Sequence, residues 1–148
     1  MFNLLQDEYS SLVKDQPTLL TSHLCTIQSF SSALPPFLLF QGLLNDINEG
    51  KKFDVIDGCS APGNKTLQLS ELLGNRGVVF AFEKNSHRFK TLEQNMKKYR
   101  ASNVKPIERD FLTVKYEDNA FKKVKLIMLD PSCSGSGMLI NFNRDNTS

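Results

Sequence analysis

Four carboxylates stand at or just after the ends of four short apolar runs. Asp57 follows Phe53–Ile56, Glu83 follows Gly77–Phe82, Asp110 comes after Val104–Ile107, and Asp130 closes Val124–Leu129. An ionised carboxylate only accepts hydrogen bonds, so it suits hydroxyl, amino or ammonium groups of a ligand. If the runs are strands of one parallel sheet, their carboxyl ends share an edge, which is where open α/β sheets bind ligands. Acids that cap helices would account for one or two of the four; packing gives no reason for the rest. Directly after Asp57 comes Gly58-Cys59-Ser60-Ala61-Pro62-Gly63, a turn of small residues, and then a helical run from about Asn64 to Leu73 that stops at Gly74. Small residues let a ligand reach the backbone, and the first N–H groups of a helix have no partner within it. Asp57, the turn and the helix start together outline a site for a polar or anionic cofactor.

The elements that must position these groups follow from the hydrophobic pattern. Gly77–Phe82 is β-branched and aromatic, as a buried strand is. Asn85 or Ser86 can cap a helix running to about Tyr99, with Phe89, Leu92, Met96 and Tyr99 at three- and four-residue spacing. Val104–Ile107 is a weaker strand, and Val124–Leu129 is apolar on both faces. Upstream, Leu34, Phe37, Leu38, Phe40, Leu43 and Leu44 predict a helix against the sheet, its start set by Pro35-Pro36. Asn45–Lys52 reads as a polar turn, and residues 1–20 read as loops with at most one short helix. The order β–α–β–α–β–loop–β argues for an α/β fold with a parallel sheet and right-handed crossovers. The expected organisation is an N-terminal extension over 1–50, a core over 51–138 and a fraying tail over 139–148. No further strand follows the fourth, whose edge would then be an aggregation liability. Either another chain completes the sheet or the sequence is a piece of a larger protein, and the second reading is taken here.

At 148 residues, 40% hydrophobic and 23% charged, the chain has the size and composition of one globular domain. Cys25, Cys59 and Cys133 are far apart, with no CxxC or Cys/His spacing. Neither a disulfide framework nor a metal site is expected, and a reducing compartment fits. The N-terminus has neither a signal-like apolar run nor the arginines of a transit peptide, and Ala33–Leu44 is broken by Pro35, Pro36, Gln41 and Gly42, so no membrane association is expected. Charge is uneven: residues 84–125 hold twelve Lys and Arg against five acids, while residues 1–50 hold one against five. A basic half is compatible with nucleic acid, with a solvated lysine face as the alternative. His23 and His87 read as surface or helix-start residues.

Three nucleotide sites compete for the loop. A dinucleotide fingerprint, GxGxxG, lacks its middle glycine in GCSAPG. A P-loop, GxxxxGK[ST], is one residue out of register in GCSAPGNKT, because Asn64 separates Gly63 from Lys65. An acid after the second strand suits a ribose better than a triphosphate, since it accepts from both hydroxyls. A nucleoside without phosphates and with a charged amino-acid end, S-adenosylmethionine, fits best.

The segments DGCSAPGNKT, FEKNSHR, RDF and LDPSCSGSGM, in this order, resemble successive motifs of the Sun-domain RNA cytosine-5 methyltransferases. HLCTIQSFSSALPPFLL is similar to the family's stretch before its first strand, so the likeness covers about residues 20–138. The APGNKT and DPSCSGSGM pair most resembles the subfamily that modifies large-subunit ribosomal RNA. The resemblance implies a Rossmann-like class I methyltransferase fold, of which this chain holds the first four of seven strands. It implies RNA, ribosomal RNA in particular, as substrate. It also implies an intracellular place, nuclear or nucleolar in a eukaryote and cytoplasmic otherwise. By the same resemblance Cys59, Ser60, Ala61, Pro62, Gly63, Asn64 and Lys65 line the methionine part of the cofactor. Glu83 takes the ribose hydroxyls, Asp110 the adenine amino group, Arg88 sits nearby, and Asp130 lies beside the methyl group and the base.

Carbon 5 of cytosine is a poor nucleophile, and addition of a thiolate to carbon 6 makes it reactive. Cys133 lies three residues after Asp130 in a loop kept small by Ser134, Gly135, Ser136 and Gly137. The resemblance assigns Cys133 to product release and the attack to a second cysteine in a later Thr-Cys segment, which these 148 residues do not contain. Two other readings stay open at this point: an inactive RNA- or partner-binding remnant, and a degenerate P-loop domain.

Overall fold

The computed structural model describes residues 2–5, 25–115 and 117–131. The tail from 139, Cys133 with the glycine-serine loop around it, and His23 lie outside the described residues. Four parallel strands form the central sheet: β3 (Asp54–Asp57), β4 (Val79–Glu83), β5 (Val104–Glu108) and β6 (Val124–Met128), in the order β5-β4-β3-β6. Each lies within about two residues of its expected run. Helix α3 (Asn64–Leu73) joins β3 to β4, and α4 (Ser86–Lys98) joins β4 to β5. The Asn85 side chain caps α4 by accepting from the His87 and Arg88 N–H groups at 3.0 Å, as Asn does at this position.

Alternation along the strands sends Val55, Val79, Leu126 and Met128 to one face. There they pack with Leu69 and Leu73 of α3 and with Phe40, while Ala81 meets Leu92 and Met96 of α4. Full burial of each Leu or Val contributes about 1.5–3 kcal/mol, so both helices are held chiefly by this face. Ile56, Phe80 and Phe82 point the other way, onto Phe111, Val114 and Phe121 of the β5–β6 connection. That connection carries the chain back across the sheet to β6, beside β3. The strand order therefore reverses at β3, and open sheets bind ligands at the carboxyl end of such a reversal.

The N-terminal part departs from expectation in three places. Helix α1 spans Phe30–Gln41 and contains both prolines; it begins at the Ser29 cap, five residues before the expected proline start. The prolines lack the N–H groups that would bond to the Ser31 and Ser32 carbonyls. Tertiary contacts compensate: Pro36 and Phe40 are buried, and Gln68 Nε2 of α3 donates to the Ala33 carbonyl at 2.8 Å. A short helix, α2 (Leu44–Asn48), replaces the expected polar turn, with Asp46 accepting from Lys51 at 2.9 Å and from Lys125 of β6 at 2.6 Å. Finally, Phe2–Leu5 (β1) is a strand rather than loop or helix, paired in parallel with Cys25–Gln28 (β2). Four residues whose partner lies twenty-three positions on carry no local period from which to read this. Among the described residues no helix is long and apolar enough to cross a membrane.

Candidate cofactor site

The loop after β3 is shaped from within by Asp57. Its side chain is 1% exposed; Oδ2 accepts from Thr66 Oγ1 at 2.7 Å and Oδ1 from the Cys59 N–H at 3.3 Å. Ser60 Oγ donates back to the Asp57 carbonyl at 2.8 Å. The first acid of the series, expected among the ligand acceptors, is thus engaged by its own loop and the first turn of α3. Burial pushes its carboxyl up to about 6, against the lowering effects of the Thr66 and Cys59 hydrogen bonds.

This has a consequence for stability. The native state keeps the Asp57 proton to about pH 6, whereas the unfolded chain releases it near 3.8. Between these values the native state binds more protons, so stability falls as pH rises. About two pH units at ~1.4 kcal/mol each amount to about 3 kcal/mol. Urea unfolding at pH 4 and pH 7 spans most of that interval and should show the wild type losing about 2 kcal/mol more than Asp57→Asn. Equal losses would mean that Asp57 does not titrate as its burial requires.

The other three acids are held in different ways. Glu83 ends β4 with 5% exposure; Oε1 accepts from the Asn85 N–H at 2.9 Å, and Oε2 lies 3.7 Å from Arg88 Nη2. Asp110 precedes a 3-10 turn, Phe111–Thr113, and caps it by accepting from the Leu112 N–H at 3.0 Å. This hydrogen bond first, and then Lys84, holds the Asp110 carboxyl below its usual value. Lys84 Nζ is 3.5 Å from Asp110 Oδ2. Asp130 pairs with Lys65 Nζ at 2.7 Å, so the lysine that Asn64 puts out of P-loop register is tied to the acid after β6.

Glu83 and Asp110 line one cleft of about 430 Å³, together with Gly58, Cys59, Lys84, Arg88, Phe111, Leu112, Leu129 and Pro131. A methyl group built on Gly58 would run into the Leu129 side chain and lie 3.1 Å from the Phe111 ring, so glycine keeps the floor open. The cleft therefore has apolar walls from the segments after β5 and β6 and two acids from neighbouring strand ends, in the size range of small-molecule sites. An apolar wall beside paired acceptors suits a flat base carrying a diol. Cys59 is half-buried, and burial, followed by Asp57 and Glu83, pushes its thiol up; a protonated thiol is a wall, not a nucleophile.

Ser60, Ala61, Pro62 and Gly63 build the loop behind the cleft. The Ala61–Pro62 peptide is cis, and Gly63 has φ 114°, a conformation open to glycine. Asn64 and Lys65 begin α3, whose cap, Gly63, offers no side-chain acceptor to the first N–H groups. Sequence reasoning missed Lys84, Phe111, Leu112 and Leu129; Leu112 and Leu129 are exposed leucines beside the expected acids, a signal that was there to be read. Of the basic residues over 84–125, Lys84 and Arg88 line the cleft, and others stand away from it. Lys97 and Lys98 end α4, and Lys122 and Lys123 precede β6, which puts them toward the opposite edge of the sheet. Among the described residues no group of three or more His, Cys, Asp or Glu could hold a metal.

Comparison with known proteins bears on this geometry. The model of the family described as 16S rRNA methyltransferase RsmB/F matches residues 43–146. The chain is 46% identical over 87 residues to the 25S rRNA (cytosine-C(5))-methyltransferase NSUN5 of Arabidopsis thaliana, covering 59% of this chain and 15% of that protein. It is 38% identical over 125 residues to the 28S rRNA (cytosine-C(5))-methyltransferase of Mus musculus, covering 84% and 25%. The chain thus spans a quarter or less of the length of these relatives. Among solved structures, the crystal structure of PH0851 matches with a TM-score of 0.60 and 28% identity over 76% of this chain and 23% of that one. A SAM-dependent O-methyltransferase from Thermotoga maritima matches with a TM-score of 0.50 and 22% identity, covering 76% and 39%. The second likeness shows the Rossmann-like methyltransferase fold alone.

Proposed function

The chain belongs to the 16S rRNA methyltransferase RsmB/F family, and from that premise we propose that its cleft takes the adenosine end of S-adenosylmethionine, in a protein that methylates carbon 5 of a cytosine in ribosomal RNA. The observation that carries the reading is the convergence of Glu83 and Asp110, from adjacent strand ends, on one apolar-walled cleft. The glycine floor at Gly58 leaves the room such a nucleoside needs. When bound, the cofactor supplies an electrophilic methyl group on a sulfonium centre.

In this proposal Glu83, its Oε1 held by Asn85, presents Oε2 to the ribose hydroxyls. Asp110, its Oδ1 held by Leu112, turns Oδ2 to the adenine amino group. Phe111, Leu112 and Leu129 exclude water from the base. The loop from Cys59 to Gly63 and the opening of α3 receive the amino-acid end, with Arg88 on the side of Glu83. Asp130, oriented by Lys65, stands where the target base would enter. Cys133 follows it by three residues, and its part rests on the sequence alone. The large-subunit relatives favour large-subunit ribosomal RNA as the substrate, with the attacking cysteine and the rest of the sheet supplied from outside these 148 residues.

Calorimetric titration of the chain with S-adenosylhomocysteine tests the proposal. Saturable binding that Asp110→Ala weakens tenfold or more is expected, since a hydrogen bond to a charged group contributes about 1.5–3 kcal/mol. No binding by the wild type, or identical binding by both, would overturn it. The P-loop alternative predicts magnesium-dependent ATP binding lost in Lys65→Ala; the family match gives it no support.

A further inference from the structure

The loop that backs the cleft is held from two sides, and only one of them belongs to the motif. Its front half hangs from Asp57, through Cys59, Ser60 and Thr66. Its back half, Ala61-Pro62-Gly63, hangs from α4. Arg88 Nη2 donates to the Ala61 carbonyl at 2.6 Å, and Asn95 Nδ2 donates to the Pro62 carbonyl at 2.8 Å. Seven residues separate the two donors, which is two helical turns, so they share one face of α4. Beside them α4 closes on Gly63: a methyl group built there would lie 2.6 Å from Met96 Cε and 3.2 Å from Leu92 Cδ1.

Backbone chemistry makes these bonds consequential. Pro62 has no N–H to donate, and Gly63 has few conformational limits of its own. The path of the chain into α3 is therefore set by what its carbonyls meet. Arg88 also stands beside Glu83 in the cleft wall, but Asn95 does not line the cleft. Anything Asn95 does for a ligand must pass through the loop.

We infer that Asn95 is a positioning residue for the amino-acid end of the cofactor: its amide holds the Pro62 carbonyl, and with it the turn that delivers the first N–H groups of α3. The inference rests on the proposed cofactor reading and adds a residue outside the four motifs. Its distinguishing property is selectivity between parts of one ligand. Glu83 and Asp110 lie on other elements, so the adenosine end should not sense Asn95.

The test compares S-adenosylhomocysteine with 5′-methylthioadenosine, which lacks the amino-acid end, on the 148-residue chain. Asn95→Leu, of similar size but without the donor, should weaken S-adenosylhomocysteine about tenfold and leave methylthioadenosine within about twofold. Asn95→His, whose Nδ1 can donate from nearly the same place, should recover much of the loss. Equal weakening of both ligands, or no change in either, overturns the inference while the cofactor reading stands. A wild type that binds neither ligand overturns both. Histidine failing to restore selectivity where leucine lost it also counts against the amide-to-carbonyl bond as the cause.

Discussion

Glu83→Gln should weaken S-adenosylhomocysteine by about ten- to a hundredfold while leaving the fold almost unchanged. The two side chains have nearly the same shape, so the effect isolates the acceptor. At this position Oε1 already accepts from the Asn85 N–H at 2.9 Å, while Oε2 faces Arg88 Nη2 at 3.7 Å. Glutamine has a single oxygen. Satisfying Asn85 turns its NH₂ toward Arg88 and toward any bound diol, so donor meets donor where an acceptor stood. Losing a charge-assisted hydrogen bond accounts for about 1.5–3 kcal/mol, hence the range. The ion pair given up with Arg88 is long and partly solvated, so the unfolding midpoint should move little. Titration and thermal unfolding of the same preparation check both halves; unchanged affinity would place the ribose elsewhere.

Phe82→Ala should cost about 3–5 kcal/mol, a large share of the total stability of a domain this size. Phe82 is fully buried in β4, its ring centre 5.6 Å from that of Phe111 and 5.8 Å from that of Phe121, with the Arg109 guanidinium at 5.9 Å. Removing the ring leaves a cavity under the β5–β6 connection and unseats the segment that begins at Asp110. The variant should therefore unfold at lower denaturant and bind ligand less well even where it remains folded. Leu112→Ala is the contrast: Leu112 is 83% exposed, and its loss should change stability by no more than about 0.5 kcal/mol. Urea titrations of the two variants side by side decide the matter; equal costs would mean the connection is not packed on Phe82.

What the sequence made legible was local. Strands around Val55, Phe80 and Leu126 show as short apolar runs, and the Asn85 cap and the Gly74 stop mark helix ends by residue type alone. The acids at the strand ends were visible for the same reason. What escaped reading depends on pairs far apart in the chain. Lys65 meets Asp130, and Asp46 meets Lys125, across gaps that leave no period. The α1 prolines were read as a boundary because local chemistry disfavours them inside a helix, yet burial of Pro36 and Phe40 outweighs that preference. Arg88 and Asn95 bind backbone carbonyls, which every residue possesses, so no residue type advertises their partners. Asp57 was legible as an acid at a strand end, but its inward engagement needed Thr66, nine positions on.

The reversal of strand order sets a timetable for the nascent polypeptide. β3, the first of the four to be synthesised, is flanked by β4 on one side and by β6, the last, on the other, with Val55 opposite both Val79 and Leu126. As translation proceeds, one hydrogen-bonding margin of the middle strand stays unzipped until residues near 124–128 have left the ribosome. Pairing so remote in sequence is slow to close, and during that interval the exposed margin invites adventitious partners. A nascent chain stalled before Val124 should accordingly depend on chaperones more heavily than one that has passed Met128.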